Sequence, residues 1–77
     1  MRTIEFHGIE IEYDDERTGS YIWQKKALSN DMSRAMSAIE DLLAGRDEEY
    51  AEQLGDSAEV MQELITAVIA DVNNSKN

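Results

Sequence analysis

The sequence contains no cysteine and no proline, a single histidine and only seven basic residues. Without cysteine, neither a disulfide framework nor a thiolate metal site can stabilise the chain, which is typical of intracellular proteins. Without proline, none of the predicted helices is interrupted from within. No apolar run approaches the ~18 residues of a membrane-spanning helix, and the N-terminal sequence MRTIEFHG lacks the apolar core of a signal peptide. We therefore expect a soluble, cytoplasmic protein.

Acidic residues outnumber basic ones by 17 to 7 in a chain of 77 residues, which gives a formal net charge of −10. A chain of this length forms one domain with a small core, so we expect a single domain over residues 1–77. The charge repels phosphate backbones and anionic lipids, which argues against binding to nucleic acid or to a membrane. The distribution is uneven, because residues 17–26 carry three cations and no acid, whereas acids predominate over residues 40–63.

The N-terminal sequence TIEFHGIEIEY, residues 3–13, alternates apolar and mostly acidic side chains around a His-Gly pair. Alternation with period two predicts a β-hairpin, and the pair at residues 7–8 suits a tight turn that requires positive φ. Because a two-stranded hairpin is marginal alone in water, its apolar face is expected to pack on helices. That face carries Ile4, Phe6, Ile9 and Ile11.

Four segments after a polar connector show the three-and-four spacing of amphipathic helices. They cover residues 20–28, 31–44, 47–54 and 57–72, and we expect the remaining polar tail, residues 73–77, to be disordered. The predicted fold class is therefore α+β, with an N-terminal β-hairpin packed on a small bundle of three to four α-helices. The predicted core contains Ile4, Phe6, Ile9, Ile11, Met36, Ile39, Leu43, Leu54, Leu64 and Val68.

Polar residues with capping side chains precede three of the four predicted helices. Thr18 or Ser20 is expected to cap the first helix, and Asn30 or Asp31 the second. For the last helix, Asp56 followed three residues later by Glu59 resembles a capping box. Glycines at positions 45 and 55 are expected to end the second and third helices.

No residue pattern indicates catalysis, a cofactor or a metal site. The single histidine, His7, lies in the predicted turn, where no neighbour in sequence could orient its imidazole. The acidic runs at residues 14–16 and 47–49 lack the ligand spacing and central glycine of an EF-hand. Neither a nucleophile motif nor a glycine-rich phosphate loop is present. We therefore expect a protein that is not an enzyme and that needs no cofactor.

Two apolar features exceed the needs of the predicted fold. The stretch YIWQKK places two aromatic rings beside lysines, and these rings could fill the core or contact a partner. The last helix carries a stripe wider than one hairpin and two short helices require, and such a surplus commonly contacts a partner or a second copy. We therefore expect association through the last helix, giving a homodimer or higher oligomer with the acidic residues 47–59 at its rim. The candidate partner-binding residues are Val60, Ile65, Ile69, Val72, Tyr21 and Trp23.

The order of these segments resembles small tail-assembly proteins of long-tailed bacteriophages and prophages. The resemblance covers residues 2–72 and rests on IEYDDE, SYIWQKKAL, LLAGRDEEYAEQLGD and MQELITAVIAD. It implies a non-catalytic chaperone in the bacterial cytoplasm that coats the aggregation-prone tape-measure protein and helps to recruit tail-tube subunits. It implies no catalytic residues. An amphipathic helix is a common element for contacting a helical client in this way.

The net charge and the acid-rich residues 40–63 support an alternative from another class, an acidic mimic of nucleic acid that inhibits a host DNA-binding enzyme. Such a mimic needs carboxylates spaced like phosphates along one continuous face, and its binding should collapse as salt concentration rises. Binding through apolar contacts should depend far less on salt. A third alternative is a small structural module of a larger assembly.

Overall fold

The computed structural model describes residues 1–75 and has the predicted α+β fold. Within these residues, an N-terminal antiparallel hairpin is followed by a short 3₁₀ helix, Arg17–Gly19, and by four α-helices. Its strands are β1 (Arg2–Phe6) and β2 (Ile9–Tyr13), and its helices are α1 (Tyr21–Ala27), α2 (Met32–Leu42), α3 (Asp47–Gln53) and α4 (Ala58–Ser75).

The hairpin has the predicted register, with Phe6 opposite Ile9 and Glu5 opposite Glu10. His7 and Gly8 both have positive φ, 51° and 80°, as a two-residue turn of the primed type requires. Alternate side chains therefore separate into two faces. The inner face is buried or half-buried and carries Ile4, Phe6, Ile9, Ile11 and Tyr13, whereas Thr3, Glu5, Glu10 and Glu12 are exposed.

Two of the predicted caps are confirmed by hydrogen bonds. The Ser20 side chain accepts a hydrogen bond from the Trp23 N–H at 3.2 Å, which begins α1. The Asp31 carboxylate accepts from the Ser33 N–H at 2.9 Å and begins α2. Each bond satisfies an N–H group that has no partner within its own helix.

The last helix has a different capping residue and a later end than predicted. Asp56 has a positive φ of 54° and is not the cap; the Ser57 hydroxyl accepts a hydrogen bond from the Val60 N–H at 3.2 Å instead. Gly55 has already turned the chain with a φ of 88°, so the capping position falls one residue later than predicted. Residues 73–75 continue α4 rather than forming a disordered tail, and residues 76–77 lie outside the described part.

The core lies between the inner face of the hairpin and the four helices. Of the ten predicted core residues, Ile11, Leu43, Leu64 and Val68 are fully buried, and five others are half-buried against them: Ile4, Phe6, Ile9, Ile39 and Leu54. Met36 is a correction, since 55% of its side chain is exposed. The inward stripe of α2 is formed by Ala35, Ala38, Ile39 and Leu42, and Met36 lies at its edge.

Three buried aromatic side chains complete the core, and each also makes a polar contact. The Trp23 indole N–H donates to the Ala38 carbonyl at 2.8 Å, which joins α1 to α2. The Tyr50 hydroxyl accepts from the Glu12 N–H at 3.0 Å and joins α3 to β2. Tyr13, which is fully buried, carries its hydroxyl to α4. Aromatic residues thus supply both apolar area and fixed attachment points between elements.

We predict that Leu64→Ala lowers the free energy of unfolding by about 2–4 kcal/mol, because it leaves a cavity at a fully buried position. The single tryptophan, Trp23, lies in the core, so its fluorescence can follow unfolding in urea. Met36→Ala is the matched control and should change this free energy by less than about 0.5 kcal/mol. Equal effects of the two substitutions would show that the core is misplaced.

Candidate functional site

Most of the apolar stripe of α4 is buried in the core. Leu64, Val68 and Val72 lie at successive i, i+4 positions and are almost fully buried, so Val72 is not part of an exposed surface. Val60 is half-buried. Ile65 and Ile69 are half-buried at the edge of the stripe, where they line a shallow groove together with Thr66, Ala70 and Asn73. The surplus predicted for the last helix is therefore confined to this groove, which we call the α4 groove.

A larger apolar surface lies on α1, which has two apolar sides. Trp23 packs inward, so of the two predicted aromatic contacts it belongs to the core and is not available to a partner. Tyr21, Lys25 and Leu28 are spaced i, i+4 and i+7, so they follow one line on the opposite side of the helix. Tyr21 is 75% exposed and Leu28 84% exposed, and Ile22 beside them is 74% exposed. We call Tyr21, Ile22, Lys25 and Leu28 the outer face of α1.

Two methionines add to the exposed apolar surface on the helix that follows. Met32 is 76% exposed and lies four residues before Met36, so the two follow one line along α2. Sequence reasoning missed this pair because it extended the apolar spacing of α2 across both methionines. The alanines at positions 35 and 38 were the signal that could have corrected it, since small residues allow close packing of α2 on its neighbours.

Cations accompany this exposed apolar surface in an otherwise acidic protein. Lys26 is paired with Asp41 at 2.7 Å, and Arg17 is paired with Asp14 at 3.2 Å. Lys25 on the outer face of α1 and Arg34 in the first turn of α2 form no ion pair within residues 1–75. Their charges are therefore available to an acidic group on another molecule.

Metal-binding clusters and unpaired buried polar atoms are both absent from the described residues. Within residues 1–75, no group of three or more acidic or histidine side chains is arranged to hold a metal ion, and no buried side-chain nitrogen or oxygen lacks a hydrogen-bond partner. His7 is exposed in the hairpin turn and stacks on Phe6 with the ring centroids 4.1 Å apart. In the same part of the chain, no helix combines the length and apolar character needed to cross a bilayer.

A polar cluster ties the hairpin to α4. The Tyr13 hydroxyl donates a short hydrogen bond to the Asp71 carboxylate, and Arg2 Nε lies 3.3 Å from the same oxygen. The Tyr13 bond lowers the pKa of Asp71, partial burial opposes that shift, and Arg2 lowers this pKa further. Burial raises the pKa of the Tyr13 hydroxyl, and the bond to Asp71 raises it further. The shifts favour a protonated tyrosine, a protonated arginine and an ionised aspartate, and these are the forms that bond to one another in the cluster.

No family model, curated protein or solved structure matches this chain. The main features of the site are the outer face of α1, the two methionines of α2 and the α4 groove.

We predict that the polar cluster makes stability depend on pH below about 4, near the ordinary pKa of an aspartate. Because the pKa of Asp71 is lowered by folding, the unfolded chain binds its proton first, and the stabilisation is lost as pH falls through the folded pKa. In urea unfolding, Asp71→Asn should therefore cost most near pH 6, and the difference from the wild-type protein should shrink towards pH 2. A constant difference across this range would contradict the assignment.

Proposed function

We propose that this protein is a non-enzymatic tail-assembly chaperone of a bacteriophage or prophage. In this proposal it acts in the cytoplasm of the bacterial host, binds the tape-measure protein and helps to recruit tail-tube subunits. The proposal combines the resemblance of residues 2–72 to such proteins with the exposed apolar surface of α1 and α2.

The observation that carries the proposal is the exposure of five large apolar side chains close together in sequence. Tyr21, Ile22, Leu28, Met32 and Met36 are each more than half exposed, although the core is closed beneath the first two helices by Trp23 and Ala38. Exposing so much apolar surface in so small a protein lowers solubility, and it commonly marks a contact with another protein. These side chains are therefore available for a client without any unfolding of the domain.

The chemistry of this surface suits a helical client of variable sequence. Methionine is flexible and polarisable, so a pair such as Met32 and Met36 adapts to apolar side chains of different shapes. Tyr21 adds a rigid aromatic contact with a polar end. Side chains of this kind can cover an apolar stripe of an amphipathic helix, and the net charge of −10 favours solubility of the complex.

The test must distinguish the chaperone from the alternative function, a nucleic-acid mimic. The surface of the mimic would be formed by the acid-rich residues 40–63, together with Glu5 and Glu10 on the outer side of the hairpin, rather than by the exposed apolar side chains of α1 and α2. Several acids are already engaged in ion pairs: Asp14, Asp15, Asp41, Glu49 and Asp71. The two functions thus place the binding surface on different parts of the molecule and predict different responses to salt.

We predict that this protein keeps the tape-measure protein of the same phage or prophage soluble when the two are co-expressed, and that Met32→Lys/Met36→Lys abolishes this effect. Both methionines are exposed, so the substitution removes apolar contact without opening the core. The measurement is the soluble fraction of the tape-measure protein, together with the dissociation constant of the purified complex. We expect the constant to rise at least tenfold in the variant and to change little between 50 and 500 mM salt.

Glu5→Lys/Glu10→Lys is the matched control, because it makes the same number of substitutions to lysine on the acidic side of the hairpin. It should leave client binding unchanged. Two results together would favour the nucleic-acid mimic over the chaperone. The wild-type protein would bind no tape-measure fragment, and it would bind a DNA-binding enzyme in a salt-sensitive way that the hairpin variant loses.

A further inference from the structure

The outer face of α1 is an apolar surface with an unpaired cation at its centre. Lys25 lies between Tyr21 and Leu28 on one line of the helix, and Arg34 lies in the first turn of the next helix. Neither cation has an ion-pair partner within residues 1–75. A surface that covers this face should therefore be apolar and should bring an acid to Lys25.

The α4 groove has this complementary chemistry. Ile65 and Ile69 provide apolar walls that the core leaves half-exposed, and Ala70 leaves room beside them. Glu59 and Glu63 are exposed. With Thr66 of the groove they are spaced i, i+4 and i+7, so they lie on the same side of α4 as Thr66. Neither glutamate is paired within the described part of the chain. One molecule thus carries both an apolar-cationic surface and an apolar-acidic one.

We propose that the α4 groove of one copy receives the outer face of α1 of a second copy. At a net charge of −10, two copies repel each other at long range, so a stable contact requires local charges of opposite sign. The proposed contact supplies them, because it brings Lys25 near the two glutamates of the partner copy. A symmetric contact of two outer faces would instead bring the lysines together, and one of two α4 grooves would bring the glutamates together.

The proposed interface is heterologous, because each copy contributes a different surface. Each copy then has one outer face and one groove to offer, so copies assemble head to tail into a ring or an open chain. One short helix in a shallow groove belongs with interfaces that bury less than ~1,200 Å² in total, which are weak and reversible. The contact needs no client, but it uses the outer face of α1, which is also part of the proposed client surface, so a second copy and a client would compete for it.

Sedimentation velocity on two variants and their mixture tests the proposal. Tyr21→Ser/Leu28→Ser removes the apolar contacts of the outer face and leaves the groove intact. Ala70→Lys fills the groove with bulk and a cation that repels Lys25, and leaves the outer face intact. All three positions are exposed, so both variants should retain the wild-type unfolding midpoint, which is measured alongside.

We expect the wild-type protein to grow beyond a dimer with concentration, each variant alone to be monomeric, and the mixture to form a dimer and nothing larger. The mixture recovers one interface because each variant supplies the half that the other lacks. Gln53→Lys, an exposed position on α3, is the charge-matched control and should assemble like the wild-type protein.

Charge reversal provides the second test. Lys25→Glu should weaken self-association at least tenfold, and Lys25→Glu/Glu63→Lys should recover most of that loss. A wild-type protein that stays monomeric up to millimolar concentration would overturn the proposal. It would also be overturned if Tyr21→Ser/Leu28→Ser still formed dimers while Ala70→Lys did not, because that result would describe a symmetric contact between α4 helices.

Discussion

A two-stranded hairpin is not stable by itself in water, and this constraint shapes the rest of the molecule. Its inner face must be covered, and within residues 1–75 four α-helices are available to cover it. The side chains of β2 lie deepest, with Ile11 and Tyr13 fully buried, while those of β1 remain half-buried. The Asp14 N–H donates to the Leu42 carbonyl at 2.8 Å directly after β2, so this strand leads the chain onto the helices.

Covering the hairpin determines which apolar side chains remain exposed. The helix α4 turns its stripe of Leu64, Val68 and Val72 inward, so little of the last helix is left for a partner. The short helix α1 attaches to α2 through Trp23, and its opposite side has nothing in residues 1–75 to cover it. The exposed apolar side chains therefore lie on α1 and α2 and after α1, and they can contact a partner while the domain remains folded.

Local signals in the sequence were sufficient for most of the fold. The alternation around His7-Gly8 predicted the register of the hairpin, and Ser20 and Asp31 predicted two helix starts. The binding surface was harder to predict, because periodicity identifies the apolar positions of a helix but not which of two apolar sides packs inward. For that reason Met36 was assigned to the core although it is exposed, and Trp23 was kept among the candidate partner contacts although it is buried. The cap at Ser57 was missed because the positive φ of Asp56 depends on the turn that precedes it.

Hydrogen exchange can locate the proposed client surface, because it reports which backbone segments a bound client covers. The account predicts that the tape-measure protein slows exchange of the amides in residues 21–36, where the exposed apolar side chains lie. The outer side of the hairpin and the acidic helix α3 should exchange as they do in the free protein. Protection confined to the hairpin and α3, with residues 21–36 unchanged, would contradict the account.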